Sequence, residues 1–112
     1  MPNFRPRNGI EALAERFGPV MPRRPALTVR QAFEHKISTT IVFKDSTFLV
    51  LNWVLNEWMG IQTNNQRFVD RFAPANALSH NDVFYIRLGQ AETPAVLMFL
   101  AAMGRPKSVK RN

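Results

Sequence analysis

The chain has 112 residues, no cysteine, an apolar share of 46% that includes nine phenylalanines, and a formal net charge of +7. That is one domain's worth of chain, apolar enough to exclude wholesale disorder and long enough for one modest core. Without cysteine there is no disulfide framework, thiolate metal site or thiol nucleophile, which fits a reducing compartment.

The charge is unevenly spread. Residues 1–30 hold six arginines against two glutamates, for +4. Residues 31–104 hold five cations against six acids, for −1, and residues 105–112 hold four cations and no acid, for +4. Basic ends on a near-neutral body are the layout of a chain that touches polyanions with its extensions. No stretch approaches the roughly 18 consecutive apolar residues of a membrane span. The start lacks the apolar core of a secretory signal, and Glu11 and Glu15 count against its faint likeness to a mitochondrial presequence. An intracellular protein is expected, cytoplasmic or held within a nucleoprotein particle.

In chain order, residues 1–8 read as an extended basic arm, because Pro2 and Pro6 discourage helix. Asn8 caps an expected short helix over 9–17, ended by Gly18-Pro19, and 19–27 reads as an extended Pro/Arg-rich segment presenting Arg23 and Arg24. Thr28-Val29-Arg30-Gln31 is a capping box and predicts a helix to about residue 36. The β-branched run 39–43 predicts a strand. Residues 46–60 follow, in which nine of the twelve positions from Phe48 to Met59 are apolar and both tryptophans lie. Capped by Ser46 and released at Gly60, this run predicts a helix that is apolar nearly all round; the alternative is that Phe48 to Val50 forms a strand folded back on 39–43.

Thr63-Asn64-Asn65-Gln66 is a second capping box, predicting a helix to about Phe72 with Phe68 and Phe72 buried. A loop over 73–81 leads to the clearest strand, 82–88, whose alternation sets Phe84, Ile86 and Leu88 against Val83, Tyr85 and Arg87. Thr93-Pro94 and Gly104-Arg105-Pro106 bracket a last helix with no polar residue between Ala95 and Met103. Residues 105–112 read as a basic tail. The expected fold is therefore α+β: a single domain over 9–104 with about five short helices, two or three short strands and basic extended arms at both ends. Two all-apolar helices are hard to hide in so small a domain, so Trp53, Trp58, Met98 and Phe99 are expected to serve a protein interface, with other subunits or a second copy.

Catalytic signals are thin. His35 and His80 lack metal-ligand spacing, no Gly-rich phosphate loop is present, and no nucleophile–base pattern or paired carboxylate stands out. No enzyme activity, cofactor or metal is expected. The stronger signal is phosphate contact by Arg5, Arg7, Arg23, Arg24, Arg105, Lys107, Lys110 and Arg111, with RNA favoured over DNA. Aromatic platforms for single strands require exposed rings, for which Phe4 and Tyr85 are the candidates. Residues 60–71, with Gly60 followed by Gln62, Asn64, Asn65, Gln66 and Arg67, are similar to the turn and recognition helix of a helix-turn-helix. The pattern departs from that motif at Asn56 and Gln66, where a small and an apolar residue belong. The expectation is a small basic structural subunit of a nucleoprotein assembly, ribosome-like or viral. A protein-binding adaptor or inhibitor with an acidic partner is the second reading, and a DNA-binding regulator the third.

Overall fold

A computed structural model describes residues 26–54, 57–75 and 77–112. The expected basic arm, the helix over 9–17 and the Pro/Arg-rich segment up to residue 25 lie outside the described residues. Within them the fold is a six-stranded, wholly antiparallel sheet with three α-helices, which corrects the expectation of five short helices and two or three strands.

Helix α1 (Val29–Glu34) starts where the capping box places it. Thr28 Oγ1 accepts from Gln31 N–H and Gln31 Oε1 accepts from Thr28 N–H, each at 3.0 Å. Strand β1 (Thr39–Val42) then pairs with β2 (Phe48–Val54), and β2 turns into β3 (Trp58–Thr63). The expected helix over 46–60 is thus two strands, and the pairing of Val42 with Phe48 and Thr40 with Val50 is the fold-back that stood as the alternative. The reason lies in the position of β2. A strand with neighbours on both sides is half-buried even on its less covered face, so its residues read as one apolar run instead of an alternation. With Gly60 inside β3, the helix-turn-helix reading loses both its first helix and its turn.

The β1–β2 turn is held by Asp45, whose Oδ1 accepts from the Thr47 hydroxyl at 2.7 Å and from Thr47 N–H at 3.0 Å. These bonds, the hydroxyl's first, hold the Asp45 carboxyl below the usual carboxylate range. A depressed folded-state pKa contributes stability above the unfolded value of about 4 and loses it as pH falls through the folded value. Asp45→Ala is therefore expected to lower Tm at neutral pH, with the gap to the parent narrowing as pH falls below the ordinary carboxylate range in thermal melts.

Helix α2 (Gln66–Phe72) follows, capped by Asn65 and not by the expected Thr63. Asn65 is 2% exposed, and both ends of its amide are bonded. Its Oδ1 accepts from Phe68 N–H at 3.0 Å, its amide donates to Thr47 Oγ1 at 2.9 Å, and its own N–H donates to Thr63 Oγ1 at 3.0 Å. One residue, through its side chain and its backbone N–H, thereby ties a helix start to two strand ends. Strand β4 (Ser79–His80) joins β5 (Val83–Gly89) through Asn81 and Asp82, with φ of 53° and 63°, as a two-residue hairpin turn requires.

A short 3₁₀ turn (Gln90–Glu92) leads into α3 (Thr93–Ala102), with proline in its first turn. Gly104 leaves the helix at φ 84°, a left-handed conformation that glycine adopts without strain. The expected tail is instead a sheet element: β6 (Ser108–Arg111) lies along β1, with Val109 opposite Ile41 and Lys110 opposite Thr40. The sheet order is β4-β5-β3-β2-β1-β6.

The helices pack on one face. Ile41, Phe43, Leu49, Leu51, Met59, Ile61, Ile86 and Leu88 form a single cluster with Phe33, Phe68, Val69, Val96 and Leu100. Phe68 joins α2 to α3, with ring centroids 4.6 Å from Phe72 and 5.2 Å from Phe99.

Candidate nucleic-acid interface

Because side chains alternate along a strand, burying Leu49, Leu51, Met59, Ile61, Ile86 and Leu88 turns their neighbours to the opposite face. Among the described residues, no helix belongs to that second face. Register lines its residues up in rows across the sheet. Lys110 stands opposite Thr40, Thr40 opposite Val50, Val50 opposite Gln62 and Gln62 opposite Tyr85. The next row is Asn52, Gly60 and Arg87, and the one beyond it is Val54, Trp58 and Gly89.

Two large rings stand on this face, with Trp58 45% and Tyr85 57% exposed. Each reaches over a glycine. Tyr85 Cε1 lies 3.8 Å from the point where a Cβ on Gly60 would stand, and Trp58 Cζ3 lies 3.9 Å from the same point on Gly89. A ring over a glycine covers backbone that has no side chain of its own. The Arg87 guanidinium sits 6.0 Å from the Trp58 ring centroid, at the outer limit of a cation–π contact. Among the described residues, the side chains of Asn52, Gln62 and Arg87 make no hydrogen bond or ion pair. The face therefore offers exposed rings, a guanidinium fork and two amides with unused donors and acceptors. Those are the groups that stack on nucleobases and bond their edges.

The predicted site residues divide among three places. Arg5, Arg7, Arg23 and Arg24 lie outside the described residues. Lys110 is on the open face in β6, whereas Arg111, opposite the buried Thr39, turns to the helical side of the same sheet edge. Lys107, just before the strand, donates its N–H to the Val42 carbonyl at 2.7 Å. Arg105 instead lines a groove of about 330 Å³ between α1 and α3, together with Arg30, Val29, Leu97 and Pro106.

The four residues expected at a protein interface are likewise dispersed. Trp53 points to the helical side, edge-on to Phe33 at 5.6 Å, its indole N–H donating to the Ile37 carbonyl at 3.2 Å. Phe99 is half-buried against Phe68 and Phe72. Met98 is 74% exposed on α3, and Trp58 belongs to the open face.

Of the open-face groups, Tyr85 and Arg87 were legible from the alternation of β5, whereas Asn52 and Gly60 were not. The available signal was the period-two pattern of Phe48, Val50, Asn52 and Val54, with one amide in an otherwise apolar run.

Among the described residues, no group of three or more histidine, aspartate or glutamate side chains is placed to hold a metal ion. No helix there is long and apolar enough to cross a membrane. Compared with protein-family models, curated proteins and solved structures, the chain matches none of them.

Proposed function

We propose that this chain is a non-enzymatic subunit of a nucleoprotein assembly, and that it binds single-stranded nucleic acid on the open face of its sheet. The observation that carries this reading is the exposure of Trp58 and Tyr85, beside Arg87, on a face that no helix of the described residues covers. Rings stack on any base, so such a face holds a strand without needing a particular sequence. Lys107, Lys110 and Arg111 supply cations along the β1–β6 edge for the phosphates of the same strand. An assembly subunit also needs a protein contact, for which the outward Met98, Ala101 and Ala102 of α3 offer an apolar surface.

The test is a salt titration of binding to labelled single-stranded RNA, single-stranded DNA and duplex DNA. Log affinity for single strands is expected to fall with log salt at roughly −0.7 per phosphate contacted. Changing Lys107, Lys110 and Arg111 to glutamate is expected to make that slope shallower by about 2, equally for all sequences. Tighter binding to RNA than to DNA of the same sequence would show that the 2′-hydroxyl is used. A preference for duplex, or a slope unmoved by the three reversals, would contradict the reading.

A further inference from the structure

Gly60 is the least explained residue of the open face. It sits inside β3, a strand with partners on both sides, where glycine weakens pairing and adds no packing. Its backbone does not require it, since Gly104 is the glycine with positive φ among the described residues. Nor does crowding. A Cβ on Gly60 would meet Asn52 O at 3.7 Å, Tyr85 Cε1 at 3.8 Å and Asn52 Cβ at 3.9 Å, all ordinary van der Waals contacts. An alanine would fit the fold. What such a side chain would remove is space. Above Gly60 is a depression of about 180 Å³ lined by Asn52, Val54, Trp58, Tyr85 and Arg87.

The rim has a definite chemistry. Asn52 and Arg87 face each other across Gly60, one strand away on either side, so their backbones are about 10 Å apart at the usual strand spacing. Trp58 closes one end and Tyr85 the other. Arg87 presents only donors, and a planar fork of donors matches two acceptors side by side. Asn52 presents both an acceptor and donors on the opposite wall. A base lying between them would need two acceptors on one edge and a donor beside an acceptor on the opposite one. Guanine has that arrangement: O6 and N7 suit the arginine fork, and on the far edge the 2-amino group suits the amide oxygen while N3 suits the amide N–H. Adenine sets its 6-amino donor against an arginine that cannot accept.

We propose that Gly60 floors a slot for a single guanine base, gripped between Arg87 and Asn52 and stacked against Trp58. The slot rests on the single-strand reading above, and the experiment separates the two. Affinity is measured by fluorescence anisotropy for a labelled oligothymidine strand and for the same strand with one central guanine, adenine or cytosine. The parent protein is expected to favour the guanine strand over the adenine strand by about ten-fold. Gly60→Val fills the slot and Arg87→Lys removes the fork, and in each the guanine-to-adenine ratio is expected to fall to about one. Arg87 is surface-exposed, so its variant remains informative should Gly60→Val fail to fold. Equal affinity of the parent for all substituted strands, a preference for another base, or a preference that survives both substitutions would overturn the slot. In those cases, binding of the oligothymidine strand itself would leave the single-strand reading standing. No binding to any strand would overturn both.

Discussion

Replacing Trp58 and Tyr85 together by alanine is expected to weaken binding to single-stranded nucleic acid by about 2 to 6 kcal/mol, at least roughly 30-fold in Kd. The magnitude follows from stacking, which contributes about 1 to 3 kcal/mol per base when the ring beneath it is removed. Both rings are close to half exposed, so the same change removes little core packing. It does uncover the backbone at Gly60 and Gly89, and a Tm lower by a few degrees is expected from that loss. Anisotropy titration gives the affinity and circular dichroism the melt. A large change in the first beside a small change in the second separates a binding role from a structural one. Unchanged affinity would remove the open face as the site.

The largest expected effect on stability is at the opposite face. Phe68→Ala is expected to destabilise the fold by about 3 to 5 kcal/mol, the range for emptying a buried phenylalanine site. Phe68 has no exposed surface and is the ring through which α2 meets α3. Its loss leaves Phe72 and Phe99, now 5.9 Å apart, to close over the cavity left in the core cluster. Set against the 5 to 15 kcal/mol that usually holds a domain folded, this is a large share. Urea unfolding is the check. The midpoint should fall sharply with the slope m unchanged. A loss below about 1 kcal/mol would mean that α2 and α3 are not docked through this ring.

The sequence was most readable where local chemistry decides structure. The Thr28 capping box, the Thr93-Pro94 start with its Gly104 stop, and the alternation of Phe84 to Leu88 each act within a few residues, and each element stands where it was expected. It was least readable where long-range pairing decides. Phe48 to Val54 is apolar on both faces except at Asn52, because it lies between two other strands, which leaves one amide as the trace of a period of two. The turn into β3 carries no glycine or proline, and the polar pair Asn56-Glu57 is its one mark in the sequence. Ser108 to Arg111 is short and basic, and becomes a strand through pairing with β1, nearly 70 residues earlier in the chain.

The candidate site was obscured by the same misreading. As a helix, residues 46–60 bury Trp58 and make Gly60 a stop signal. As two strands, they expose Trp58 and put Gly60 at the centre of the open face. The basic character of the C-terminal residues was plain from composition, but their alignment along a sheet edge depended on the pairing with β1.

The most direct test of the central claim is a heteronuclear NMR titration of the full chain with a short single-stranded oligonucleotide, following backbone amides and the two indole N–H groups. Shifts are expected to concentrate at Asn52, Trp58, Gly60, Gln62, Tyr85, Arg87 and Lys110, with the Trp58 indole moving and the Trp53 indole nearly still. Shifts centred on α1 and α3, or none on the open face at saturating oligonucleotide, would contradict the claim.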